Sequence, residues 1–469
     1  MANRFLQKKK TQPKGGSHAP ATGTLKVSPV TWRTSEGLFT GDDGTWLYRQ
    51  IPARSLAWAE GHEQLSAGRD LDALLAALAQ VDDATVEREI HVLAHRFDVA
   101  PGSNPLHAAT LRDFHAEVLR WRVPEQRVLL GVKVNASRPV RSTAQEFTST
   151  VTRLLAQHGP DLERYAVDLD RLLAIFAQHG AVAPDRLAVS QALGWFGDGD
   201  DHAMLEVGVD RLVAHTEAGP KQYEMTVLSG FEDQTMTAPA ASQWVADLLT
   251  TTAGPRVVSV RGRLRSFGEI NKAVRKNVKR RVHDVAERGE SRDAVHYGLL
   301  DENAAEHLDA TREVHSLLAT GEGVAFVDLS VVAARQVVDA DADRQQMSWR
   351  DLQLSRFGIE HRILRLRQHE ALVETLPTAG VRCNPFLQAA ATPLVSQSGI
   401  LDGPALGDAE GTVYLGISDP SESIVMLDPA GANKASRPAL EAVLGSSGAG
   451  KTFFMLAQAA QEALQSVTD

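Results

Sequence analysis

Cysteine is nearly missing from this chain. One residue, Cys383, stands alone among 469, which excludes an internal disulfide framework and a cysteine-rich zinc site. A lone thiol of this kind fits a reducing cytoplasm, where it is expected to be a small buried apolar group. No apolar run is long enough to span a bilayer, and the N-terminus has no apolar core of a secretory signal. The histidines are scattered without ligand spacing, and neither H-E-x-x-H nor G-x-S-x-G occurs. Positive charge is outnumbered: 49 Lys and Arg face 59 Asp and Glu, for a net charge of −10. That argues against a protein that coats nucleic acid generally, while leaving room for a local basic groove. No short-period repeat is present, so a solenoid is excluded.

What is present is ordinary in bulk and specific in one place. Hydrophobic content of 43% and charged content of 23% suit a globular chain, long enough for two or three domains. The specific place is Gly445-Ser446-Ser447-Gly448-Ala449-Gly450-Lys451-Thr452. It matches G-x-x-x-x-G-K-[ST], the loop that cradles nucleotide phosphates. Gly445, Gly448 and Gly450 permit backbone angles that a side chain would forbid. Successive N–H groups can then converge on phosphate oxygens, aided by the positive end of the helix that follows. Lys451 would reach the β- and γ-phosphates, and the Thr452 hydroxyl would be a ligand of Mg²⁺. The flanks agree: Ala439–Leu444 suits a strand entering the loop, and Phe453, Leu456, Ala457, Ala460 and Leu464 fall at helical spacing on one face expected to bury. Such an NTPase draws its metal-holding carboxylate and water-positioning residue from strands after the loop. The match lies close to Asp469, so the expectation is a nucleotide-binding region without its catalytic half.

The rest reads as mixed α/β, with an α+β region before the opening of a RecA-like P-loop domain. Residues 1–26 form a basic tail with Arg4, Lys8, Lys9, Lys10 and Lys14, either solvated and disordered or touching an anionic membrane or a partner. A first α/β block is expected over 27–218. It holds a hairpin at Gly37–Arg49 signalled by Asp43-Gly44, helices near Leu71–Leu78, Leu111–Trp121, Ala144–Gln157 and Leu162–Gln178, and a strand at Val128–Val134. A second block, 219–383, holds strands at Tyr223–Leu228, Val257–Leu264 and Val324–Val332, and helices at Ala240–Leu249, Phe267–Arg288 and Leu308–Leu318. Mixed strand and helix signals run from Gln353 to Arg367. Pro385, Pro393 and Pro404 mark 384–410 as a linker. Strands at Thr412–Ile417 and Ser423–Asp428 then open the 411–469 unit that carries the P-loop.

Three further patches compete with bland readings. From Arg261 to Arg281 the chain carries nine basic residues and one acid, Glu269. Lys272, Arg275, Lys276 and Lys279 share one helix face by their spacing. They form either a face for nucleic-acid phosphates or an acidic partner, or a solvated helix. Val324–Asp328 has the look of a Walker B strand but precedes the P-loop, and reads as a core strand with a terminal Asp. Asp198-Gly199-Asp200-Asp201-His202 lacks the closing Glu of a calcium loop and reads as an acidic surface turn.

The run from Gly411 to Thr452 resembles the conjugative-transfer ATPases of type IV secretion systems (the TraC/TrbE kind), within the HerA–FtsK group of hexameric motors. A Tyr-Leu-Gly strand, an apolar strand ending in Leu427-Asp428-Pro429, a connector and the P-loop follow in that family's order. Gly262–Arg281 and Glu306–Ala334 are similar to the helix–helix–strand pattern of its N-terminal region, so the resemblance spans about residues 220–469, with a weaker echo from Trp32 to Pro52. It implies that Gly445, Gly448, Gly450, Lys451 and Thr452 bind Mg·ATP. It also implies a hexamer on a type IV secretion or conjugation membrane complex, at the cytoplasmic face. No position here corresponds to that family's Walker B acid or trans arginine. Two alternatives stand beside it: a DNA-pumping translocase of the same superfamily, and a non-catalytic scaffold docking on a membrane complex.

Overall fold

The computed structural model describes residues 23–25, 31–33, 37–41, 43–53, 61–80, 88–99, 123–135, 165–197, 204–217, 219–231, 243–250, 257–265, 325–337, 354, 358–383, 387–403, 413–417, 424–427 and 451–465. In chain order these form β1 (Gly23–Leu25), β2 (Thr31–Arg33), β3 (Leu38–Gly41), β4 (Gly44–Ile51), α1 (Gly61–Gln80), β5 (Arg88–Val99), β6 (Val123–Lys133), α2 (Ala166–Gln178), α3 (Arg186–Leu193), β7 (Met204–Val207), β8 (Leu212–Thr216), β9 (Gly219–Phe231), α4 (Trp244–Thr250), β10 (Val257–Arg265), β11 (Phe326–Val337), β12 (Ile359–Ile363), α5 (Gln368–Thr375), β13 (Gln388–Ala391), α6 (Pro393–Ser396), β14 (Val413–Ile417), β15 (Ile424–Leu427) and α7 (Lys451–Gln465). The chain is mixed α and β, as expected, and its main sheet has thirteen strands.

Local chemistry sets the boundaries. The β3–β4 hairpin closes where Gly41 faces Gly44, and Gly44 takes φ +117°, which a side chain would resist. Helix α2 stops at Gly180, whose φ of +69° lets its own N–H and that of Ala181 return to the carbonyls of Ala177 and Phe176. Helix α3 starts at Asp185, whose carboxylate accepts from the Ala188 amide at 2.6 Å. In β10, Val258, Val260 and Leu264 point to one side, and Val257, Ser259 and Arg261 to the other, as a period of two requires.

Eleven strands run in the order β1-β7-β8-β9-β11-β10-β5-β6-β4-β3-β2, with β12 on β9 and β13 on β11. The two ends of that path, β1 and β2, are separated in the chain by residues 26–30 alone. Six extended steps reach about 20 Å, whereas eleven strands laid flat would be about 48 Å wide. The sheet therefore curls until its edges approach. Helices α1, α2, α4 and α6 bury their apolar residues on one face of the sheet, and α3 and α5 on the opposite face.

Paired strands cross two of the expected boundaries. Residue 219 divides nothing in the sheet: β8 pairs with β9 across it, and β10 pairs with β5 of the first block. The expected linker also carries core structure. β13 pairs with β11, and Ile400 is fully buried. Pro393 opens α6 at a helix-start position, where its missing N–H costs nothing. The helices expected near Leu111–Trp121, Ala144–Gln157, Phe267–Arg288 and Leu308–Leu318, and the strand at Ala439–Leu444, lie outside the described residues. Among the described residues no helix is long and apolar enough to cross a membrane.

Candidate functional site

Helix α7 is described over Lys451–Gln465, and Lys451 and Thr452 are the first residues of its described part. Thr452 is exposed and Lys451 half-buried. Gly445 to Gly450, with Ser446, Ser447 and Ala449, lie outside the described residues. The β14–β15 hairpin stands beside the helix. Gln461 docks the two: its carbonyl oxygen accepts from the Tyr414 amide at 2.7 Å and its amide donates to the Tyr414 carbonyl at 3.2 Å. This corrects the face expected to bury. Gln458 and Gln461 are buried, while Phe453 is 79% exposed and Leu456 65%. The amide pair satisfies a strand's open backbone groups, and that requirement decides which face turns inward.

The basic run divides. Lys272, Arg275, Lys276 and Lys279 lie outside the described residues. Arg263 is exposed. Arg265 donates to Asp328 from Nε at 2.7 Å and from Nη2 at 2.5 Å. Arg261 is 1% exposed and belongs to the core, not to a solvated face. Of the Val324–Asp328 run, Phe326–Asp328 opens β11 as a core strand: Val327 and Leu329 are buried, and Asp328 serves Arg265. Asp198–His202 lies outside the described residues. No group of three or more His, Cys, Asp or Glu able to hold a metal is found among the described residues. Cys383 is a buried free thiol, and burial pushes its pKa up, with Glu374 adding to the shift.

The structure brings together a polar row that no motif signalled. Tyr48 of β4 faces Gly131 of β6, which faces His91 of β5, which faces Arg261 of β10. All four are neighbours across the sheet, on the face covered by α5. Gly131 is essential to the row, because a Cβ there would stand 2.3 Å from the Tyr48 ring. Without it, the ring crosses β6 and its hydroxyl meets His91 Nδ1 at 2.8 Å. His91 Nε2 meets the Ser259 hydroxyl at 2.9 Å. Arg261 donates through Nε to the Glu374 carbonyl and through Nη2 to the Leu376 carbonyl. Its guanidinium carbon lies 5.4 Å from the centre of the Trp46 ring, within cation–π range. Burial, and then the Arg261 charge, push the His91 pKa well below its usual value, so the imidazole is neutral. Burial raises Tyr48, with Arg261 opposing. The faint sequence signal was the alternation within Val257–Leu264, where Ser259 and Arg261 interrupt an apolar strand on one face only.

No protein-family model matches this chain, and no curated protein is significantly similar to it.

Proposed function

We propose that the chain binds Mg·ATP at Gly445–Thr452 and forms the N-terminal region and the opening of the motor domain of a type IV secretion or conjugation ATPase. The observation that carries this reading is that Lys451 and Thr452, the last two residues of the glycine-rich motif, lie on the helix Lys451–Gln465. A phosphate-binding loop needs a helix whose first turn presents the Lys and the hydroxyl residue, and whose N–H groups face the anion. The β14–β15 hairpin and the Gln461–Tyr414 pair give that helix a neighbour to lean on. In this proposal Lys451 supplies the cation for the β- and γ-phosphates and Thr452 a ligand for Mg²⁺. Assembly as a hexamer, docking on a secretion membrane complex and a place at the cytoplasmic face belong to the same proposal.

The test is equilibrium binding of a fluorescent ATP analogue, with and without magnesium. Lys451→Ala is expected to weaken binding at least about tenfold, or ~1.4 kcal/mol. Thr452→Ala is expected to erase most of the magnesium dependence. A wild-type chain with no magnesium-dependent affinity overturns the proposal.

A further inference from the structure

Residues 374–383 lie across the polar row as a strap. From Glu374 to Ala379 every residue is buried. Leu376-Pro377-Thr378-Ala379 forms a turn closed by the Ala379 amide on the Leu376 carbonyl. Pro377 suits the second position of such a turn, and the third demands a positive φ that Gly or Asn supplies at little cost. Thr378 takes that position with φ +67°, which for a β-branched residue stores about 1–3 kcal/mol. The surroundings hold it there. Its amide donates to the Tyr48 hydroxyl oxygen at 3.3 Å, and its own hydroxyl sits where a Cβ on Gly41 would be, 2.2 Å away.

The hydrogen bonds around His91 are all satisfied when its proton sits on Nε2. The Thr378 N–H donates to the Tyr48 oxygen, and the Tyr48 proton then goes to His91 Nδ1. His91 then carries its proton on Nε2 and donates to Ser259 Oγ. Ser259 donates in turn to the Glu374 carbonyl at 3.4 Å. The chain of bonds thus starts on the strap at Thr378 and returns to the strap at Glu374. A second proton on His91 would remove the acceptor that Tyr48 needs and place a cation beside Arg261.

We propose that the Glu374–Cys383 strap is an acid-released latch, closed by neutral His91 through Tyr48 and Ser259 and freed when His91 is protonated. The other charged groups around it are engaged, though Glu374 Oε1 and Arg261 Nη1 are buried without a hydrogen-bond partner. Asp43 accepts from the Gly380 amide and from Arg382, each at 2.8 Å. Glu374 Oε2 accepts from the amides of Arg382 and Cys383, each at 2.7 Å. Arg367 pairs with Glu370. Tyr48 and Cys383 are both shifted upward, away from the acid range. Asp72 titrates at about 6, but it sits on α1, which packs on the other face of the sheet. The lowered proton affinity of His91 has the sign the latch requires. The closed strap binds the second proton less readily than the open one, so opening is favoured as pH falls below about 6.5.

Hydrogen exchange of the full chain, followed by mass spectrometry on peptides covering 374–383, tests the latch independently of any nucleotide. After correction for chemical exchange rates, strap protection is expected to stay level above pH 7. It is expected to fall by up to about tenfold per pH unit below about 6.5, the slope of one linked proton. His91→Phe is expected to lower protection at pH 7 and to abolish the slope. Tyr48→Phe, which keeps the ring and His91 but deletes the proton donor, is expected to leave the onset near pH 6.5 and to shorten the fall at its acid end, because the closed strap then binds the second proton more readily. Level wild-type protection from pH 7.5 to 5, a slope that survives His91→Phe, or a total loss of protection between pH 7.5 and 5 in Tyr48→Phe as large as in the wild type overturns the latch.

Discussion

Arg88 of β5 holds both carboxylate oxygens of Asp168 on α2, Nη1 to Oδ2 at 2.9 Å and Nη2 to Oδ1 at 3.0 Å, with its own side chain 1% exposed. The same carboxylate accepts from the Asn135 amide at 2.7 Å, and Arg88 also donates to the Lys133 carbonyl at 3.2 Å. One ion pair therefore joins α2 to two central strands.

Asp168→Asn leaves the guanidinium buried without its counter-charge. Removing one partner of a buried pair is expected to cost about 3–5 kcal/mol. Arg127–Asp185 is the contrast, since Asp185 is 60% exposed. Asp185→Asn there is expected to cost under about 1 kcal/mol, because the side-chain oxygen that caps α3 is kept. Urea denaturation of both variants measures the difference; equal losses would refute the account.

Gly131→Ala drives a methyl into the Tyr48 ring, whose nearest atom stands 2.3 Å from the site. The ring must leave His91 or the sheet must spread. A loss of about 1–3 kcal/mol is expected from such overpacking, again by urea denaturation. Wild-type stability in this variant would show that the ring does not cross β6.

Asp72 reverses the usual carboxylate behaviour. Burial on α1 raises its pKa from 3.8 to about 6, opposed only by the bond it accepts from the Thr392 hydroxyl. The folded chain binds the proton more readily than the unfolded chain. Its contribution is therefore most favourable below pH 3.8 and is lost as pH rises through 6. Asp72→Asn keeps the acceptor and removes the charge. It is expected to stabilise the chain by about 1 kcal/mol at pH 7, with the gain vanishing below pH 4 in a series of thermal melts. A gain that grew toward acid would reverse the assignment.

Phe453 and Leu456 tell whether the α7 orientation is right. With both exposed in the structure, Phe453→Ser and Leu456→Ser are expected to change stability by less than about 0.5 kcal/mol each. Gln461→Ala, which strips the Tyr414 backbone of its partner, is expected to cost about 1–2 kcal/mol. These are local costs, read as hydrogen exchange in β14 and α7. The opposite ranking would mean that the apolar face is the buried one.

The sequence by itself determined local matters. Asp43-Gly44 specified a hairpin, β-branched runs specified β10 and β11, and the apolar spacing after Thr452 specified a helix, found as α7. Each depends on residues a few positions apart. Tertiary structure decided whatever depends on distant neighbours. Nothing local in Pro393 or Ile400 distinguishes a linker from a core segment; only the pairing of β13 with β11 does. Arg261 looked like one more surface cation until the carbonyls of Glu374 and Leu376, more than a hundred residues away, came to receive it. Tyr48, Gly131 and His91 become one unit only when β6 is placed between β4 and β5. Periodicity shows which side chains share a face of a strand, while the identity of what covers that face is set by contacts that no local pattern encodes.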